Sequence, residues 1–335
     1  MIEVYATTDQ NMWPGEVADH ARRVERLGFD GLLVPDGVHE GLLAAQAALM
    51  ATERIRVCTG VVVAFPRSPM VVAQSAWDLQ ASSGGRFELG LGTQVRGNIV
   101  ERYSTVWTAP VARMREYIES LRAIWSSFQE GRPLDYRGKH YRFTRLQPFF
   151  NPGPIEHPDI PILVGAVGPR MTRTAGEAAD GLITHPTNCS PRFLDEVVRP
   201  LLDAGDRRTA PAAVVACPLV ATGETAEEVA AERERIRGLM AFLYSTPAYW
   251  PTLELLGYED LGPKLRELTR EGRWNDLAGL LPDGLLDAVV PSGTYDEIGT
   301  VLDTWYARRA ARVTFPLPPP GCEDRIAGIV EALRH

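Results

Sequence analysis

Few side chains in this sequence of 335 residues are placed to do chemistry unaided. Lysine occurs only at Lys139, in an insertion, and Lys264, in a helical segment, so a Schiff-base nucleophile on a barrel strand end is lacking. The histidines His20, His39, His140, His157, His185 and His335 show neither HxH nor HExxH spacing, which leaves a metal site without support. Cys58, Cys189, Cys217 and Cys322 form no CxxC pair and read as reduced, small hydrophobes. What remains is polar residues beside glycines. Asp36 is either a solvated loop residue or an acceptor for a ring or ribityl hydroxyl. His39 and Glu40 are catalytic or only surface polar. Thr93 and Gln94 bond a ligand's edge or cap their own loop. The turn Gly165-Ala166-Val167-Gly168 opens a helix, and is a phosphate seat made of free N–H groups or simply a tight turn. So sparse a set of ionisable groups points to a bound cofactor as the carrier of the hard chemistry.

These residues must be positioned by the elements around them, and the stretch Thr59–Asn98 organises the rest. The run Ile55–Ala64 is apolar and β-branched, as a strand covered on both faces would be. Pro66 and Pro69 break it, and Pro69 suits the first turn of a helix that continues through Val72, Ala73, Ala76 and Trp77 to Ser82. Gly84-Gly85 stops that helix, and Phe87–Leu91 is a second buried strand ending in Gly92-Thr93. At helical spacing Trp77 reads as core, whereas Tyr103 and Trp107 in the loop beyond are placed to wall a pocket.

The same alternation runs along the whole chain. Strands are expected near residues 2, 31, 57, 88, 162, 182, 215 and 312, with helices between them. Three segments interrupt it, near 93–112, 131–160 and 242–292. A small hairpin is expected in the second, around Tyr136–Phe143, and short helical pieces in the third. Eight βα units predict a (β/α)8 barrel occupying residues 1–335 as one domain. An open doubly wound sheet with a separate cap domain is the alternative, but no GxGxxG opens a helix after the first strand. In a barrel the chemistry sits at the C-terminal strand ends. A metal hydrolase would want histidines on the first strand there, and a retaining glycosidase a carboxylate pair; neither is present.

Composition narrows the partners. The chain is 45% hydrophobic and 23% charged, with net charge −8 and bases scattered among acids, which argues against nucleic acid. No uninterrupted apolar run approaches a membrane span. The start MIEVYATTD lacks the basic and apolar regions of a signal peptide, so a cytoplasmic protein acting on a small molecule is expected.

The segment TGVVVAFPRSPMVVAQSAWDLQASSGGRFELGLGTQ resembles the bacterial luciferase-like superfamily of flavin- and F420-dependent oxidoreductases. RMREYIESLRAIW with DYRGKHY, PILVGAVGPRMTRTAGEAADGLITH and GTYDEIGTVLDTWYARRAARVTF extend the resemblance, in family order, over nearly the whole chain. It implies a TIM barrel with insertions, a cofactor at the C-terminal mouth and a homodimer. The coenzyme F420 branch is the most similar, and there a non-proline cis peptide after the third strand backs the deazaflavin ring. The matching bond is Gly60–Val61. By the same matching Asp36, Thr93 and Gln94 face the ring and ribityl side. Gly165, Ala166, Val167, Gly168 and Thr184 take the phosphate region. Two departures stand out. Gly37 follows the loop aspartate where several F420 relatives carry His, and Gln94-Val95-Arg96 replaces their Glu. The proton donor therefore does not carry over, and Arg96 or His39 is the candidate to polarise or protonate substrate. The expected reaction is hydride transfer between F420 and a small organic substrate. A reduced-FMN monooxygenase using oxygen is the runner-up, and a non-catalytic barrel that binds a flavin-like ligand is the rival from another class.

Overall fold

The structure is a computed structural model that describes residues 2–205, 211–318 and 321–334; His335, named above, lies outside them. Eight strands carry the fold: β1 (Glu3–Thr7), β2 (Gly31–Val34), β3 (Arg56–Thr59), β4 (Phe87–Gly92), β5 (Ile162–Gly165), β6 (Gly181–Ile183), β7 (Ala213–Ala216) and β8 (Arg312–Thr314). Each pairs in parallel with the next, and β8 pairs back onto β1. The ring closes without an edge. This is the expected (β/α)8 barrel, and the open sheet is ruled out.

The reason lies in the strand sequences. β2 and β4 are buried at every position, because one face looks into the barrel and the other is covered by helices. Helix Pro14–Arg26 begins on a proline and turns Val17, Ala21 and Val24 inward. Helix Pro69–Ser82 is capped by Ser68, whose side chain accepts from the Met70 N–H, and it buries Val72, Ala73, Ala76 and Trp77. Trp77 is core, as its spacing predicts, and its indole N–H donates to the Gly153 carbonyl at 3.1 Å.

The barrel is plugged at its N-terminal end by charge. Glu88, buried in β4, receives a bidentate pair from Arg312 of β8 at 2.5 and 2.8 Å. Arg312 also reaches Glu3 of β1 at 2.9 Å, and Glu3 in turn holds Arg56 of β3. Burial is the largest single effect and works against the Arg312 charge, but Glu88, Tyr5, Cys58 and Glu3 together more than offset it and the guanidinium stays protonated. Above this floor Tyr5, Leu33, Cys58, Leu163, Ile183 and Val215 fill the interior. The cysteines are free; burial holds the Cys189 and Cys217 thiols up at about 12, which keeps them unreactive.

Two expected strands are shorter than the sequence suggests. The run Ile55–Ala64 is interrupted after β3 by a cis peptide at Gly60–Val61, and Val62–Val63 then pairs with Leu91 and Gly92. The strand expected near residue 215, in the apolar run Ala213–Ala221, stops at Ala216, before Cys217-Pro218, where proline cannot donate to a ladder. Ala221–Gly223 instead pairs in parallel with Ser292–Thr294, a short polar strand with no apolar alternation to reveal it. The hairpin is present as Tyr136–Arg137 against Arg142–Phe143. Residues 242–292 do form short helices, and they build a second core with helix Ala226–Tyr244 around Ile236, Met240, Leu253, Leu265 and Leu286. No helix among the described residues is long and apolar enough to cross a membrane.

Candidate functional site at the barrel mouth

Asp36 follows β2 and is almost fully buried, because donors from three directions converge on it. Its carboxylate accepts from the Val63 N–H at 2.9 Å, the Gly41 N–H at 3.2 Å and the Arg67 guanidinium at 2.7 and 3.3 Å. Arg67 is held by the Glu40 carboxylate at 2.8 Å and the Val63 carbonyl at 2.9 Å, while its own carbonyl accepts from the Tyr117 hydroxyl. Burial opposes the Arg67 charge, and Asp36 and Glu40 together more than restore it. Asp36 thus clamps the chain just past the Gly60–Val61 bond, and Glu40, beyond holding Arg67, caps helix Gly41–Ala51 through the Leu43 N–H at 2.7 Å.

Val61 is thereby aimed into the mouth. A Cβ on Gly92, at the end of β4, would run into the Val61 side chain, and one on Gly165, at the end of β5, would lie 3.0 Å from Val61 Cγ1. Both positions need glycine because the Val61 isopropyl group occupies the space between them. Thr59 ties the same region from below, its hydroxyl donating to the Gly90 carbonyl and accepting from the Gly90 N–H, both at 2.9 Å. The result is a fixed apolar floor under the C-terminal strand ends.

Beyond β5 the turn Gly165-Ala166-Val167-Gly168 leads into helix Pro169–Ala178. Gly168 caps this helix without a side-chain bond, and its carbonyl takes the Met171 and Thr172 N–H groups. The N–H groups of Val167, Gly168 and Arg170 find no acceptor among the described residues. Such a helix start favours an anion. Thr184, after β6, is buried and accepts from the Cys217 N–H at 2.9 Å, which joins the ends of β6 and β7. Asn188 donates to the Ala166 carbonyl at 3.1 Å and so braces the β5 turn against the β6 turn.

The other candidates are looser. Thr93 is half-buried and donates to the Gln94 carbonyl at 3.1 Å; Gln94 is exposed, with φ of 57°, and accepts from the Val95 N–H at 2.9 Å. Arg96 is exposed and makes no hydrogen bond or ion pair among the described residues. His39 packs on Trp13 with ring centroids 4.2 Å apart. His39 and Arg96 therefore stand on separate loops and are not brought together. Arg102, at the end of the helical turn Asn98–Arg102 that follows, is the residue that reaches across, donating to the Gly37 carbonyl at 2.7 Å.

Sequence reasoning passed over three residues. Arg67 sits in the apolar run AFPRSP, where a lone arginine needs a buried carboxylate, and that signal was available. Arg113 lies over the Phe65 ring at 4.3 Å and donates to Phe65, Val106 and Tyr141, tying residues 93–112 and 131–160 to the chain after β3. Trp107 edges onto Phe65, with ring centroids 5.9 Å apart. His185 is the third. Burial lowers its pKa to about 4, and its ring stacks on Tyr249 of the segment 242–292.

Comparison with known proteins agrees with this geometry. The sequence matches the luciferase-like monooxygenase family over residues 3–312. The uncharacterized protein Rv1360 of Mycobacterium tuberculosis is 41% identical over 289 residues, 85% of each chain. The 5,10-methylenetetrahydromethanopterin reductase of Archaeoglobus fulgidus is 27% identical over 294 residues, 84% of this chain and 83% of that one. Among solved structures, the coenzyme F420-dependent tetrahydromethanopterin reductase of Methanopyrus kandleri superposes with a TM-score of 0.80 at 19% identity, covering 99% of this chain and 98% of that one. The EDTA monooxygenase of Chelativorans superposes at 0.72 with 16% identity, covering 99% and 93%. An edgeless eight-stranded barrel, a glycine-lined mouth and a family match over almost the full length lead to one conclusion: this chain belongs to the luciferase-like monooxygenase family.

Proposed function

We propose that the protein is an F420-dependent oxidoreductase that moves a hydride between the deazaflavin ring and a small organic substrate. The observation that carries this reading is the Val61 floor: an apolar side chain fixed between Gly92 and Gly165 by the Asp36 clamp, flat support for a ring, with unused N–H groups one turn away for a phosphate. The naming of F420 for a relative in structure and of a methanopterin reductase for one in sequence supports the choice of deazaflavin.

When bound, the cofactor supplies the hydride chemistry. The chain's own residues position and exclude. Gly165, Ala166, Val167 and Gly168, with Thr184 behind them, hold the phosphate end; Gly60 and Val61 back the ring, and Thr93 and Gln94 border it. Asp36 acts through the bulge it clamps rather than through a free carboxylate oxygen. Arg96 has an unengaged guanidinium and His39 a partly covered ring, and these are the groups to polarise or protonate the substrate. The three long segments shape the substrate side of one barrel domain, which we read as half of a homodimer in the cytoplasm.

Anaerobic incubation with F420 and a panel of alcohols, ketones and imines tests the reading. Substrate-dependent interconversion of oxidised and reduced F420 is the expected result. Turnover only with reduced FMN and oxygen would replace it with a monooxygenase, and cofactor affinity without any turnover would make the barrel a binding protein.

A further inference from the structure

The turn after β6 is where residues 242–292 meet the barrel mouth. The Thr187 carbonyl accepts from the Thr252 hydroxyl at 2.6 Å and the Tyr244 hydroxyl at 3.3 Å, so the second core is bolted to this turn. The same contact brings Tyr249 flat against His185, with ring centroids 4.4 Å apart and planes 5° from parallel. The Thr187 hydroxyl lies 2.9 Å and its N–H 3.4 Å from His185 Nδ1. A backbone N–H can only donate, so Nδ1 is the acceptor and the ring proton sits on Nε2. Neither His185 Nε2 nor the Tyr249 hydroxyl has a partner among the described residues. Neither is a sealed atom either; the sealed, unpaired side-chain atoms are Thr222 Oγ1 and Tyr306 Oη. Both donors are therefore open to solvent beside the turn after β6.

Burial alone acts on the two rings: it lowers the imidazole to about 4 and raises the phenol. Both stay neutral and protonated at the donor atom. The neighbouring turn is close by construction, since Gly165 pairs with Ile183 and Asn188 ties Ala166 to the β6 turn. That turn contributes the unused N–H groups of Val167, Gly168 and Arg170.

We infer that the His185–Tyr249 pair is a ligand-binding wall that donates, from His185 Nε2–H and the Tyr249 O–H, to an anionic oxygen on the tail of the bound cofactor. This rests on the cofactor reading above and extends it, because it gives residues 242–292 a direct part in the cofactor site. An anionic substrate offers the same oxygen chemistry, and the experiment separates the two sources.

Tyr249→Phe keeps the stacked ring and removes only the hydroxyl. Its affinity, and that of His185→Phe, is measured for F420 and for the phosphate-free deazaflavin nucleoside, and for FMN and riboflavin in parallel. Tyr249→Phe should weaken the phosphate-bearing member by about tenfold, equivalent to about 1.4 kcal/mol, and the phosphate-free member by less than about twofold. The melting temperature should stay that of the unmodified protein. Equal losses for both members, or none, overturn the inference. Intact cofactor affinity with a raised substrate KM also overturns it, and hands the pair to the substrate. Failure of the unmodified protein to bind any of the four removes the cofactor reading itself, and this inference with it.

Discussion

The Asp36 carboxylate accepts the Val63 N–H at 2.9 Å, so a residue of the loop after β2 decides where the chain runs after β3. The Asp36 side chain is 4% exposed and that of its partner Arg67 18%, so the charge pair between them is largely out of water. Breaking such a pair from one side leaves a charge uncompensated. Asp36→Asn should cost about 3 kcal/mol in urea unfolding and weaken cofactor binding as the bulge loosens. Unchanged stability would show that the clamp is not what fixes the bulge.

Space under the ring is set by Val61 against Gly92 and Gly165. Gly165→Val places a branched side chain where the Val61 methyls already stand. Cofactor affinity should fall by about tenfold or more, and Val61→Ala in the same chain should recover part of it, a coupling expected only of residues in contact. Titration of the single and double variants measures it; additive losses would count against a shared floor.

The charge plug at the other end offers a control. Glu88→Gln removes the buried one of the two carboxylates that hold Arg312 and should lower stability by about 3 kcal/mol. Because β4 carries Glu88 near its start and Gly92 at its end, cofactor affinity in the folded variant should match that of the unmodified protein. Denaturant curves and a binding titration, run on one sample, separate the two effects.

Stability should also fall on mild acidification. Burial lowers the His185 pKa from 6.5 to about 4, and it lowers His20 in the same direction, with Arg23 adding to the effect and the Thr7 carbonyl opposing it. The unfolded chain takes up these protons first. The unfolding free energy therefore drops as pH falls below about 6.5 and flattens near 4, His185 contributing at most about 3 kcal/mol. Glu25 and Glu116, held below 4.5 by backbone N–H groups that outweigh their burial, lose their contribution only at lower pH. His185→Gln should shrink the drop in the upper window to the part that His20 supplies and leave the lower one, as read by urea unfolding at a series of pH values.

The sequence disclosed the barrel because its strands are short apolar runs between glycines and prolines, a pattern set by burial on both faces. Phe87–Leu91 and Ile162–Gly165 could be placed almost to the residue for that reason. Ser292–Thr294 could not, since a polar strand of three residues has no period to read. At the site, the Gly165–Gly168 turn was legible because free N–H groups follow from a helix start. The stacking of His185 on Tyr249 was not, because the two residues are brought together by a helical segment whose docking depends on the Thr187 carbonyl, a backbone atom that every sequence has. Asp36 was legible as a residue at a strand end but not as a clamp, which needed Arg67 and Val63 in three dimensions.

The central claim is that a deazaflavin sits on Val61 with its phosphate at the Gly165–Gly168 turn. Equilibrium titration of the purified protein with F420, in competition with FMN, tests it most directly. Saturable binding of F420 at one site per chain is expected, undisturbed by excess FMN and weakened by about tenfold or more in Gly165→Val. Tight FMN binding that displaces F420, or F420 binding that survives Gly165→Val unchanged, would contradict it.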